Sequence, residues 1–255
     1  MLYNFIVGYT ASFLSKLIGR SVSDLESESY NLTELSGQDE NGYYYNKDNE
    51  GNLCRIGFYL TRYNNELWNR SPSLHLELCD NLKELKHLMR ATNSQYVTYY
   101  SKDNLKTYKN QRLSICKKCL KLLKNKTSIL MTGTSFNEFI LTLEENEELK
   151  CKIHNKDGYS INWPQISKAF REIKEYTCEV CFYKLENLEF TRFFQTHHID
   201  SYNKMNNKRN NLKCLCVKCH SEVDDYHRTQ FQSIENQLLL SEFEAFLLNS
   251  KSSRS

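Results

Sequence analysis

Apolar residues recur along this chain at two periods, near 3.6 and near 2, and the switches between them outline its elements. Residues 1–20 (MLYNFIVGYTASFLSKLIGR) are apolar but interrupted by Lys16, which predicts an amphipathic helix packed on a core. That stretch lacks a basic start and is too short and broken for a signal peptide or a membrane span. From 21 to 52 the Ser/Asn/Gly/Asp-rich sequence predicts a loop or disordered segment, with a turn at Gln38-Asp39-Glu40-Asn41-Gly42. CRIGFYLT (54–61) is apolar and aromatic enough for a strand. A helix is expected over Asn81–Arg90. A hairpin comes next, with strands 94–100 and 105–115 and a turn at Lys102-Asp103-Asn104.

Ser135-Phe-Asn-Glu138 is a capping box before an apolar run, so a helix starts there. Pro164 suits the first turn of another helix, whose Ile166, Phe170 and Ile173 recur at core spacing. EFTRFFQTHHI (189–199) alternates as a strand does. A last helix is expected over 229–248, with Phe231, Ile234, Leu238, Phe243 and Leu247 turned inward. No internal repeat is visible.

The mixture of periods predicts an α+β fold. At 255 residues the chain can form one large domain or two to three small ones. Its mean hydropathy of -0.66 and apolar share of 40% fit a globular protein thin in core material, a deficit that metal-stapled modules can offset. The expected organisation is an N-terminal region over 1–70, whose job the sequence does not reveal, and a small module over 71–128. A connecting helix and loop (129–160), a principal domain (161–228) and a C-terminal helix with its tail (229–255) complete it.

Cysteine spacing carries the chemistry. Six of the ten cysteines fall in Cys-x-x-Cys pairs, which bring two thiolates to one tetrahedral ion. With no export signal in view, this usage indicates zinc rather than disulfides and a reducing compartment, a cytoplasm. His75, Cys79, Cys116 and Cys119 make a Cys3His set, a complement known from structural zinc. Cys178, Cys181, Cys216 and Cys219 form two pairs far enough apart to hold a hairpin and loop between them. Four thiolates leave no open position, so this zinc would be structural. Cys151 and His154 have no second pair in register and read as bystanders; Cys54 and Cys214 read as buried small hydrophobes.

Between the last two pairs lies a His197-His198 doublet. Neighbouring side chains on a regular strand point to opposite faces, so the two cannot share a pocket unless the strand ends or bulges there. In that case one can hold a metal while the other faces a water. His220 and Asp224 are four apart, on one face of a helix that would begin at the last knuckle. His197, His220 and Asp224 therefore form a nitrogen and oxygen set suited to Mg²⁺, Mn²⁺, Ni²⁺ or Zn²⁺.

HHID followed by NNLKCLCVKCH resembles the HNH nuclease family, the ββα-metal fold, in its four-cysteine, zinc-braced, restriction-type branch. The resemblance covers about residues 176–227. It implies that His198 is the general base that deprotonates the attacking water, that His197 and His220 are metal ligands, and that Asn211 braces the loop and so orients the base. It implies one catalytic ion at the scissile phosphate, with Mg²⁺ or Mn²⁺ favoured. Asp224 sits where some members place a further histidine, and His227 competes for that role; Asn210 could replace Asn211 by one register step. Residues 71–126 more faintly resemble zinc modules that precede such segments.

Charge agrees with a polyanionic partner. The net charge is only +3, yet residues 24–50 carry eight acids against Lys47 alone, and residues 102–126 carry nine bases against Asp103 alone. Tyr99, Tyr100 and Tyr108 interleave with those lysines, although a merely solvated lysine face explains the stretch almost as well. Lys204, Lys208, Arg209 and Lys213 lie between the doublet and the last knuckle, where phosphates flanking a cut would pass. The expectation is a DNA endonuclease of a restriction or other anti-phage system, acting on double-stranded DNA. It would work as a homodimer or with a partner defence protein, and without a membrane. A subunit active only within a larger assembly and a non-catalytic, zinc-dependent DNA-binding module are the alternatives.

Overall fold

Short strands dominate the described residues of the first half of the chain, because Ser, Asn, Gly and Asp cut its apolar runs every few residues. The computed structural model describes residues 29–30, 35–39, 42–48, 50–64, 72–77, 79, 82, 89–127, 131 and 133–252. The helix expected over 1–20 and the tail 253–255 lie outside them. The chain divides into two compact units, one over 22–169 and one that takes in everything from Phe170 onward.

In the first unit, β2 (Gly37–Gln38), β3 (Tyr44–Lys47) and β4 (Leu53–Arg55) form one antiparallel sheet. β1 (Ser29–Tyr30) and β5 (Gly57–Leu60) flank β7 (Met89–Thr92) in a second. β8 (Tyr96–Ser101) lies between β6 (Arg62–Tyr63) and β9 (Lys106–Arg112) in a third. The expected hairpin is therefore present as β8–β9. The single strand expected over 54–61 is instead two strands in two sheets, broken at Ile56, whose nitrogen still bonds Tyr44 O at 3.0 Å. Residues 89 and 90, expected to end a helix, belong to β7, and of that expected helix only Leu82 is described as helical.

A crossing segment at Leu74 and His75 ties these sheets to the cysteines beyond them. His75 exchanges two 2.7 Å backbone bonds with Phe58, while Leu74 N donates to Ser114 O and Cys116 N donates back to Leu74 O. Gly57 lets this happen: a Cβ there would meet the Leu74 side chain at 3.0 Å. The pairing joins strands on either side of residue 70.

Helices α1 (Lys117–Thr127), α2 (Phe136–Glu145) and α3 (Trp163–Ile173) complete the run to residue 173. Ser135 caps α2 by accepting from Glu138 N, as the sequence predicts. Phe58, Leu74, Phe136, Phe139, Leu141 and Ile166 are buried to 1% exposure or less, and each such side chain contributes about 1.5–3 kcal/mol.

The second unit is strand, strand, helix. β10 (Phe194–His198) pairs antiparallel with β11 (Leu212–Cys216), and α4 (Val217–Ser221) continues from it without a linker. β10 begins five residues later than its alternation suggests, because Asn187 caps a 3₁₀ segment (Leu188–Phe193) by accepting from Glu189 N. The last expected helix is two, α5 (Asp225–Gln230) and α6 (Ile234–Ser252). Phe231 and Phe243 are buried, but Ile234 and Leu238 are 81% and 56% exposed, not inward. Apolar residues surround α6, so its period selects no single inner face. Among the described residues no helix is long and apolar enough to cross a membrane.

Candidate metal centres and active site

The brace of the second unit forms where chain turns meet the end of β11. Cys216 closes that strand and caps α4, accepting from Cys219 N. The turn bearing Cys178 and Cys181 is fastened alongside by Glu179, whose nitrogen donates to Cys214 O and whose carboxylate accepts from Cys214 N. As a result the sulfurs of Cys178, Cys181, Cys216 and Cys219 lie within 4.8 Å of one another. Cys181 and Cys216 are 3.8 Å apart, the edge of a tetrahedron whose metal–sulfur bonds are about 2.3 Å. The hydrogen bond with Cys216 holds Cys178 down at about 4, while Cys216 is pushed up. Crowded thiols share protons in this way, and a dication can replace those protons.

The first unit repeats the device. The backbone pairing of residues 74 and 75 brings His75 and Cys116 together, and α1 begins at the Cys116 knuckle. Donor atoms of His75, Cys79, Cys116 and Cys119 lie within 4.8 Å of one another, all four residues being buried. His75 Nδ1 is 3.3 Å from Cys79 Sγ and 3.9 Å from Cys119 Sγ. Both clusters are compatible with zinc.

A third cluster consists of imidazoles. His197, on β10, meets His220 of α4 and His227 of α5, with donor nitrogens again within 4.8 Å. The ring centroids are 4.5 to 5.2 Å apart. Two of the rings have a fixed tautomer. His220 Nδ1 is 2.5 Å from Gln195 Oε1, which can only accept, so Nδ1 carries the proton and Nε2 the lone pair. That Nε2 is buried and has no hydrogen-bond partner. His227 Nδ1 likewise lies 2.8 Å from Asp224 Oδ1. A buried lone pair among other imidazoles suits a divalent cation. Burial, then the nearby His227, pulls His197 down to about 4 and His220 to about 3, so both stay neutral as ligands must.

Asp224 does not join this set. It caps α5, accepting from His227 N, and holds the His227 ring; His227, the competing candidate of the sequence reading, lies with His197 and His220. The reason is local. The chain leaves α4 at Glu222 and begins a new helix at Asp225, so the i, i+4 relation between His220 and Asp224 is broken.

His198 is the last residue of β10 and takes a different environment, 5% exposed. Its Nε2 is 3.0 Å from Asn207 Oδ1, which leaves Nδ1 as the basic nitrogen. Burial lowers its pKa, with Asn207 acting in the opposite sense. Asn211 closes the loop between the strands: its Oδ1 accepts from Asp200 N, its Nδ2 donates to Asn206 O, and its backbone oxygen accepts from Ile199 N. Asn210 is exposed and Asn211 is 7% exposed. Lys204, Lys208, Arg209 and Lys213 lie in or beside this loop, each only partly exposed, with Lys213 opposite His197 in the strand pairing. Cys151 and His154 enter no cluster among the described residues.

Sequence reasoning missed Gln195 and Asn207. Gln195 had one signal, its place two residues before His197 on the same strand face. Asn207 had none, being one of four asparagines between 206 and 211.

No family model matches the chain, and no solved structure matches it. It is similar to the Zorya protein ZorE of Escherichia coli strain Crooks, with 29% identity over 166 residues, 59% of this chain. The chain spans less than half of that protein's length, 44%.

Proposed function

We propose that the chain is a metal-dependent endonuclease of the HNH kind, which hydrolyses phosphodiester bonds of double-stranded DNA in anti-phage or restriction defence. One observation carries the reading: successive residues of one strand serve two environments, His197 in a three-histidine cluster and His198 fixed by an amide with its Nδ1 basic. The similarity to a Zorya protein supports the place in defence.

In this reading His198 does the proton chemistry. Its burial keeps the imidazole neutral near pH 7, and the Asn207 bond keeps the proton on Nε2. Nδ1 takes a proton from a water whose oxygen attacks phosphorus as the bond to the 3′ oxygen breaks. The proton passes to His198, the 3′ oxygen gains one from solvent, and the ends are a 5′-phosphate and a 3′-hydroxyl. Asn211 holds the His198 loop in register, while Lys204, Lys208, Arg209 and Lys213 meet the flanking phosphates. A divalent ion held by His197, His220 and His227, with Mg²⁺, Mn²⁺, Ni²⁺ and Zn²⁺ all admissible, would neutralise charge at the phosphate and leaving oxygen. Zinc in the two cysteine clusters would brace the frame.

The test is incubation of the zinc-loaded full chain with supercoiled plasmid under each of these four cations. The expected products are nicked or linear DNA whose ends can be religated without phosphorylation. Intact plasmid under all four cations would contradict the reading.

A further inference from the structure

Helix α1 carries a row of cations that nothing on it neutralises. Lys117, Lys121 and Lys124 are exposed, and their spacing of four and then three residues puts them on one helical face. At about 1.5 Å rise per residue the row is about 10 Å long. Among the described residues none of the three is in an ion pair. The first turn holds no acid, so Lys117 faces the positive end of the helix dipole unopposed. Like charges one turn apart also work against the helix. The other side of α1 holds it in place regardless, because Cys119 and Leu123 are each 2% exposed. A helix anchored on one side and unfavourably charged on the other presents that charge to something negative.

The basic hairpin next to it is the weaker candidate. β9 is an edge strand with Lys106, Lys109 and Arg112 exposed, and edge cations already have a role in blocking strand addition. Tyr108 is not open for stacking on a base: it stacks on Tyr99 at 5.3 Å, with Lys106 Nζ 5.5 Å from its ring centre.

We infer that the Lys117–Lys121–Lys124 face is a docking surface for the phosphate backbone of double-stranded DNA. It belongs to the first unit, whereas the histidine cluster belongs to the second. The choice of DNA as the polyanion rests on the nuclease reading. Each DNA strand carries a phosphate per 3.4 Å of axis, so the row spans about three of them. Such contacts set position and affinity and carry no sequence information.

Binding of a 40-base-pair duplex to the full chain, measured across a salt series, tests the surface. The chain carries His198→Ala so that no cutting intervenes. Replacing Lys117, Lys121 and Lys124 together by Gln should weaken binding at least tenfold near 0.1 M salt and reduce the salt slope by about 2 to 3. Replacing all three by Arg should restore both. An equal-charge control changes Lys152, Lys156 and Lys168 of the same unit, all exposed, to Gln and should leave the slope near its starting value. Equal slopes for the two Gln triples would overturn the surface, as would duplex binding that ignores the α1 triple. In the same series run with a 40-base-pair RNA duplex, a loss confined to the RNA would overturn the choice of DNA. The readout is binding and not cutting, so an inactive chain leaves a positive result standing. An active nuclease indifferent to these lysines refutes only the docking surface.

Discussion

Asp224 Oδ1 lies 2.8 Å from the backbone nitrogen of His227 and 2.8 Å from its Nδ1. One carboxylate thus caps α5 and orients the ring that faces His197 and His220. Removing it by Asp224→Ala should cost about 1 kcal/mol of cap stability. The same change should lower metal affinity or activity about 10- to 100-fold through loss of the orienting bond. Asp224→Asn keeps a good cap and should be milder, and His227→Ala should be the most severe of the three. Cation titration of the zinc-supplemented protein reads the order; Asp224→Asn proving worse than His227→Ala would favour Asp224 as the ligand.

The imidazoles set a pH dependence whose sign is fixed. In the unfolded chain His197 and His220 bind protons near the ordinary value of 6.5, but in the folded chain only near 4 and 3, because burial disfavours the charged rings. The unfolded state therefore binds more protons below about 6.5, and folding stability falls as pH drops from there toward 4. Without a cation in the histidine cluster, thermal midpoints should decline over that window, and His197→Ala together with His220→Ala should flatten the decline. A midpoint that rises toward pH 4 would contradict this.

Asn211 joins both ends of the loop beyond His198, through Asp200 N and Asn206 O. Asn211→Ala leaves those groups unpaired, at about 1–3 kcal/mol for a buried one. It should lower kcat more than it raises KM, because His198 and Asn207 lose their relative position. Asn210→Ala should change neither parameter. A pure KM effect from Asn211→Ala would make that residue a substrate contact instead.

Much of this site is legible in the sequence alone. Cys-x-x-Cys spacing is covalently local, so the turn that converges two sulfurs can be read from it, and the hairpin of β10 and β11 then brings His197 to His220. What could not be read depended on where helices stop. The break between Glu222 and Asp225 makes Asp224 a helix cap, which a single period carried across that break does not anticipate. Strand content in the first half was hidden for a related reason: Ile56 switches sheets inside an unbroken apolar run, and β7 forms at the end of a helical-looking stretch because tertiary pairing with β1 and β5 outweighs local propensity. Ile234 and Leu238 show the same limit, since a helix apolar on every side selects no inner face.

The two cysteine clusters should be separable by metal content. The full chain should carry two zinc ions beyond any cation at the histidines. Cys79→Ser and Cys178→Ser should each lower that count by one, and the double variant should hold neither. Because a structural zinc contributes directly to folding, each variant should also lower the thermal midpoint. A count unchanged by Cys79→Ser would remove the zinc assigned to the first unit.

In the proposed reaction His198 performs the proton transfer while the residues around it supply the frame. Plasmid cleavage by His198→Ala beside the unaltered chain separates those roles, with zinc content and duplex binding measured on the same samples. Zinc and binding should persist while the cleavage rate falls by about 10²- to 10⁴-fold, the usual scale of general-base catalysis. Cleavage at the unaltered rate, with zinc and binding intact, would show that His198 is not the base.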